Sequence, residues 1–157
     1  MAGPNFELIT ELQSTIRRDF PVGDTSLLQP LASNPIIDGE WLELDSNQQL
    51  VRGTGEGTKL NAFPVHTERG RYDTQAIGKA NVIFAGGVYQ ASTKVVSLTS
   101  LNVGDELTVQ DVSIGGLTRR GLKKKTGSGK AVVGIVTKII TAENRIEFVS
   151  ARYISQS

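Results

Sequence analysis

The 157-residue chain has no cysteine, one histidine, one tryptophan and one methionine. Without cysteine, neither disulfides nor thiolate metal sites can form. The lone His66 has no second histidine or cysteine to complete a metal ligand set, so no metal or other cofactor is expected. Nucleophilic catalysis through His66 would need a serine and a carboxylate that spacing does not supply, and the residue reads as a packing or surface histidine. No run reaches the ~20 apolar residues of a membrane-spanning helix. The start of the chain has neither a basic n-region nor an apolar h-region. The expectation is a protein made and kept in the cytoplasm, or carried elsewhere within a larger assembly. Net charge is only +1 at neutral pH, which removes any overall bias toward nucleic acid or anionic membrane.

What is present is a normal core fraction, 38% hydrophobic residues, enough for one compact domain with an arm. Charge is unevenly spread. Residues 1–57 hold nine acidic and three basic side chains, a sum of −6, whereas 58–157 hold seven acidic and fourteen basic, a sum of +7. Such a dipolar chain suits head-to-tail contacts between copies; an accident of surface composition is the plainer alternative.

Hydrophobic periodicity points to strands. Leu107 and Val109 alternate with Thr108 and Gln110, as on a sheet with one buried face. Val132, Val133, Ile135, Val136, Ile139 and Ile140 form a β-branched run of the kind covered on both sides. Ile146, Phe148 and Tyr153 resume the pattern after a polar break. Upstream, Trp41–Leu44, Gln49–Arg52, 62–67, Ala80–Phe84 and Val88–Val96 are further candidates. Turns are expected at Asp38-Gly39, at 45–48 and at 86–87. Seven or eight short strands predict a mainly β domain over 35–157, an antiparallel β-barrel or β-sandwich.

Residues 1–34 read differently. Phe6, Ile9, Leu12, Ile16 and Phe20 recur at spacings of three and four, with Glu7 and Glu11 early and Arg17 and Arg18 late. This predicts an amphipathic helix over 4–20, bracketed by Pro4 and Pro21. Its apolar stripe either packs on its own domain or docks on another chain. Residues 21–34, broken by prolines and glycine, read as an extended arm carrying Leu27, Leu28 and Leu31.

Three patterns invite a chemical reading. Asp38, Glu40, Glu43 and Asp45 resemble a carboxylate cluster, but such clusters more often decorate solvated strand faces than form glycosidase pairs. Gly127-Ser-Gly-Lys130 looks like the end of a phosphate-binding loop. Lys124 stands where the first glycine should be, Ala131 replaces the metal-binding Ser or Thr, and a β-branched run follows in place of a helix. Arg119, Arg120, Lys123, Lys124, Lys125 and Lys130 bring six cations with no acid between them. They are a solvated hairpin tip, a contact for an acidic protein surface, or a nucleic-acid contact, the last lacking interleaved aromatics for base stacking.

The order Leu-x-Val-Gly-Asp-Glu-Leu-Thr-Val (101–109), a Gly/Lys loop, Ala-Val-Val-Gly-Ile-Val-Thr-Lys-Ile (131–139) and Ile-Glu-Phe-Val (146–149) resembles small β-barrel capsid decoration (cement) proteins of tailed bacteriophages. The resemblance covers residues 80–154. It implies a non-enzymatic virion subunit on the outer surface of the head, near three-fold positions, that clamps neighbouring major capsid proteins. A homo-oligomer, a trimer before others, goes with it. Another phage structural subunit, from tail or connector, is the alternative, and a nucleic-acid-binding barrel a more distant one. No catalytic residue is carried over. The helix stripe and the six cations above are the expected partner-contacting residues.

Overall fold

The computed structural model describes residues 5–9, 15–23, 33–66, 78–85 and 87–157, and eleven strands lie among these described residues. They are β1 (Phe6–Leu8), β2 (Ile16–Pro21), β3 (Trp41–Leu44), β4 (Leu50–Val51), β5 (Ala62–Pro64), β6 (Lys79–Ala85), β7 (Gln90–Thr93), β8 (Glu106–Ile114), β9 (Leu117–Lys124), β10 (Ala131–Ile140) and β11 (Arg145–Ile154). One 3₁₀ turn, Thr141–Glu143, links β10 to β11, with Asn144 in the left-handed region at φ 48°. The protein is mainly β with antiparallel sheets, as the periodicity predicts.

Six strands form the largest sheet, in the order β1-β7-β11-β10-β8-β9. A three-stranded sheet, β4-β3-β5, and a two-stranded one, β2-β6, complete the fold. Isolated bridges join these small sheets: Val65 to Val82 links β5 to β6, and Val22 to Leu50 links β2 to β4. The five short strands therefore surround a common centre, although none of the sheets closes into a barrel.

Two cores result. The first lies under the six-stranded sheet and includes Leu107, Val109, Leu122, Val136, Ile146 and Phe148. The second, inside the group of short strands, gathers Phe20, Val22, Ile36, Leu42, Leu50 and Phe63. Alternation along the short strands builds both at once. Trp41, Ala62 and Ile83 face the first core, while their neighbours Leu42, Phe63 and Val82 face the second. Both faces of β3, β5 and β6 are thus covered, which is why their sequences show little polar alternation.

The helix expected over 4–20 does not form in the described residues. Its apolar side chains serve different destinations. Phe6 sits opposite Thr93 in the β1–β7 pair and is buried in the first core, with ring centroids 6.4 Å from Phe148. Phe20 pairs with Ala80 and enters the second core. Ile9 and Ile16 are exposed at 47% and 58%, so no common face exists. Strand pairing with β7 and β6 outweighs the local helical preference, which is worth only a fraction of a kcal/mol per residue. Leu12, and the arm residues Leu27, Leu28 and Leu31, lie outside the described residues. Val22, at the start of the expected arm, is buried and bridged to Leu50.

A second correction concerns the Gly/Lys interval after Ile114, which contains the eight-residue strand β9. The turn is Gly115-Gly116, with φ of 60° and 80°, between the paired residues Ile114 and Leu117. Two consecutive positive φ values define the type I′ hairpin turn, and glycine meets them without strain. The basic residues 119–124 therefore stand in a sheet and not at a hairpin tip.

Candidate functional site

Two acids from the first 56 residues of the chain, Glu40 and Glu56, bind to the basic segment: Glu40 takes the backbone N–H of Arg120, and Glu56 pairs with Lys130. Glu40 follows the Asp38-Gly39 turn, where Gly39 takes φ 88° and a Cβ would meet Val95 Cγ2 at 3.0 Å. That turn drives the Glu40 side chain inward until it is fully buried. Arg52 holds it with both Nε and Nη2, the latter at 2.9 Å. The backbone N–H groups of Ile37 and Arg120 also donate to it, each at 3.3 Å. Arg52 goes on to donate to the carbonyls of Asn34 (2.8 Å) and Pro35 (3.1 Å), and Arg119 shares the Pro35 carbonyl at 3.1 Å.

This arrangement closes the free edge of β9. An edge strand exposes every second backbone N–H, and an unprotected edge invites pairing with other chains. Here Glu40 takes the N–H of Arg120, and Val95 takes that of Leu122 at 3.0 Å. Gly121, between them, is where Val95 approaches: a Cβ there would lie 2.4 Å from its carbonyl oxygen.

Arg120 points elsewhere, donating to Asp111 at 2.9 Å across the β8–β9 pair. Its side chain is 1% exposed and that of Asp111 is 53% exposed. Among the described residues its Nε and Nη2, and the Nε of Arg119, have no acceptor.

Glu56 is the second gathering point. It accepts from the Thr126 backbone N–H (2.9 Å), the Thr126 hydroxyl and the Thr108 hydroxyl (3.0 Å), and pairs with Lys130 at 3.6 Å. A loop that resembles a phosphate cradle thus holds a carboxylate of its own chain. Burial pushes the Glu56 pKa up, but the hydrogen bonds from Thr126 and Thr108 and the Lys130 charge outweigh it, and the net shift is downward.

The remaining cations are also engaged. Lys124 pairs with Asp105 at 3.3 Å and Lys125 with Glu106 at 3.1 Å. Glu106 also accepts from the Tyr153 hydroxyl at 2.5 Å, which lowers its pKa. Burial, followed by that carboxylate, pushes the Tyr153 phenol up to about 12. Of the six basic residues, Lys123 alone makes no ion pair or side-chain hydrogen bond among the described residues. Of the helix-stripe residues, Phe6 and Phe20 are core, Ile9 and Ile16 are exposed, and Leu12 lies outside the described residues.

The carboxylate cluster disperses. Glu40 is buried on Arg52, whereas Asp45 Oδ1 accepts the backbone N–H groups of Asn47 (2.8 Å) and Gln49 (3.0 Å) in its own turn. His66 lies beside the Phe6 ring, with centroids 5.4 Å apart. Among the described residues, no three His, Asp or Glu side chains gather as a metal site would require.

The geometry defines a layered antiparallel β protein whose ionisable groups largely join its strands. Comparisons with protein-family models, with curated proteins and with solved structures find no match to this chain.

Proposed function

We propose that this chain is a virion structural protein, a decoration (cement) subunit on the outer surface of a tailed-bacteriophage head that clamps neighbouring major capsid proteins. One observation carries the reading. Of the three segments that resemble decoration proteins, 101–109 runs into the start of β8, and 131–139 and 146–149 lie within β10 and β11; the three strands are consecutive neighbours in the six-stranded sheet. The resemblance therefore follows one continuous structural unit. The internal use of charge supports a mechanical role. Glu40, Glu56, Asp105 and Glu106 hold strands and loops together, stiffening the body that would bridge capsid subunits. In this reading the subunit is not an enzyme, assembles as a homo-oligomer, with a trimer favoured, and gains avidity from several modest contacts made at once.

The test is co-sedimentation of the purified protein with empty heads assembled from the major capsid protein encoded in the same genome. Saturable binding at a fixed ratio, with a rise in the temperature at which heads disrupt, is the expected result. Sedimentation no greater than that of an unrelated protein would overturn the reading.

A further inference from the structure

The carboxylate of Glu56 meets only donors: the Thr126 N–H and hydroxyl, the Thr108 hydroxyl and, at 3.6 Å, the Lys130 ammonium. Those donors are set in place without it. Thr108 lies within β8, and the loop that carries Thr126 and Lys130 has fastenings of its own. The Lys125 N–H donates to the Glu106 carbonyl (2.9 Å), the Gly129 N–H to the Ser155 carbonyl (2.8 Å) and the Lys130 N–H to Ser155 Oγ (3.0 Å). The Ser155 hydroxyl donates in turn to the Gly127 carbonyl at 3.1 Å. Glu56, by contrast, rides on a segment punctuated by Gly53, Gly55 and Gly57. Gly57 is anchored by backbone hydrogen bonds to Val109 (3.0 Å) and Ala131 (2.8 Å). Gly55, at φ 68°, has open space where a Cβ would stand, and the backbone turns readily there. Thr126 is exposed, so an ion from solvent reaches these donors once Glu56 swings away.

A backbone N–H, hydroxyls and an ammonium held in fixed positions suit phosphate, whose greater charge and additional oxygens satisfy them better than one carboxylate does. We propose that Thr108, Thr126 and Lys130 form a site for inorganic phosphate, and that Glu56 is a built-in competitor that keeps it closed. A strand, β10, follows the loop where a nucleotide-binding loop has a helix, and Ala131 offers no metal ligand, which favours the free ion over a nucleotide. Phosphate that enters releases Glu56, and with it the side-chain contact between segment 53–57 and the loop. The inference stands apart from the decoration reading and does not depend on it.

Calorimetric titration of the full chain with sodium phosphate at pH 7, at an ionic strength held constant with sodium chloride, tests this. Glu56→Ala empties the site and should bind phosphate saturably, with a Kd on the order of a millimolar. The wild type should bind at least about tenfold more weakly, because its site is open only in the fraction of molecules whose Glu56 has left. Glu56→Gln keeps the packing and removes the charge. It should fall between the two, and it carries the comparison where Glu56→Ala does not fold. Adding Lys130→Ala to either variant should weaken phosphate by about tenfold. Three results would each overturn the proposal: no saturable heat from either Glu56 variant, a wild type that binds as tightly as they do, or binding that survives Lys130→Ala. Weak binding alike in all the proteins would mark an adventitious ion only, and overturn it too.

Discussion

At the scale of single residues, two carboxylates carry most of the testable energetics. Glu40 is fully buried on Arg52 and also receives two backbone N–H groups. Removing one partner of such a pair strands the other charge in the interior, which costs about 3–5 kcal/mol, far more than the pair itself is worth. Glu40→Gln should therefore lower the urea midpoint by a corresponding amount, while Glu40→Gln/Arg52→Met should recover part of the loss. A double-mutant cycle by urea denaturation checks both. Glu56 answers to pH. Its folded pKa lies below the ordinary value of 4.5, so the charged form favours the fold. Its contribution is fully present above about pH 4.5 and is lost as pH falls through the lower folded value. The stability difference between wild type and Glu56→Gln should thus be flat from pH 7 to 5 and shrink below 4.5. A difference that shrinks on going from pH 5 to 7 would contradict the assignment.

At the scale of elements, glycine placement ranks the strands by tolerance. A Cβ on Gly121 would meet the Val95 carbonyl carbon and oxygen at 2.9 and 2.4 Å, both backbone atoms that cannot step aside. On Gly134 of β10 it would meet the Phe148 ring at 2.8 Å, which can tilt. Gly134→Ala should cost about 1–3 kcal/mol, typical of overpacking, and Gly121→Ala should cost more, both read from urea melts. The N-terminal strands carry a sharper expectation. Deleting residues 1–34 removes β1, β2 and the buried Phe6, Phe20 and Val22, so the cooperative thermal transition followed by far-UV circular dichroism should be lost. These elements also show what sequence could reveal. β8, β10 and β11 were legible because alternation or β-branched runs marked them directly, and the Asp38-Gly39 and 45–48 turns because their residue types demand those conformations. β1 and β2 were not, since Phe6, Ile9, Ile16 and Phe20 happen to repeat at helical spacing while their strand partners, Thr93 and Ala80, lie far along the chain. β9 was hidden by its own composition. Its two arginines and two lysines read as solvent-facing, yet Arg119 and Arg120 are buried, Arg120 giving its backbone N–H to Glu40, 80 residues away, and its side chain to Asp111.

At the scale of the whole molecule, the opposite charges of the two parts of the chain are partly consumed inside it. Among the described residues Glu56, from the acidic part, pairs with Lys130 from the basic part, whereas Glu40 pairs with Arg52 of its own part and takes only the backbone N–H of Arg120. The same pairing bears on nucleic acid. A basic strand on DNA releases counterions with a log–log salt slope of about 0.9 per phosphate contact, which requires cations free to reach phosphates. Here Arg119 and Arg120 are buried, and Lys124, Lys125 and Lys130 sit 3.1–3.6 Å from acids of their own chain. The wild-type protein should accordingly give no shift of a 30-base-pair duplex at about 150 mM salt, where screening acts over ~8 Å. Lys123 offers the clean probe of the surface. Reversing Lys124 or Lys125 would set an acid against Asp105 or Glu106 and disturb the fold, whereas Lys123→Glu breaks no ion pair described here. If β9 faces an acidic patch of a capsid subunit, Lys123→Glu should slow association with empty heads about two- to tenfold and leave the thermal midpoint unchanged. Unaltered association with heads, together with a salt-sensitive shift of free duplex by the wild type, would assign this face to nucleic acid.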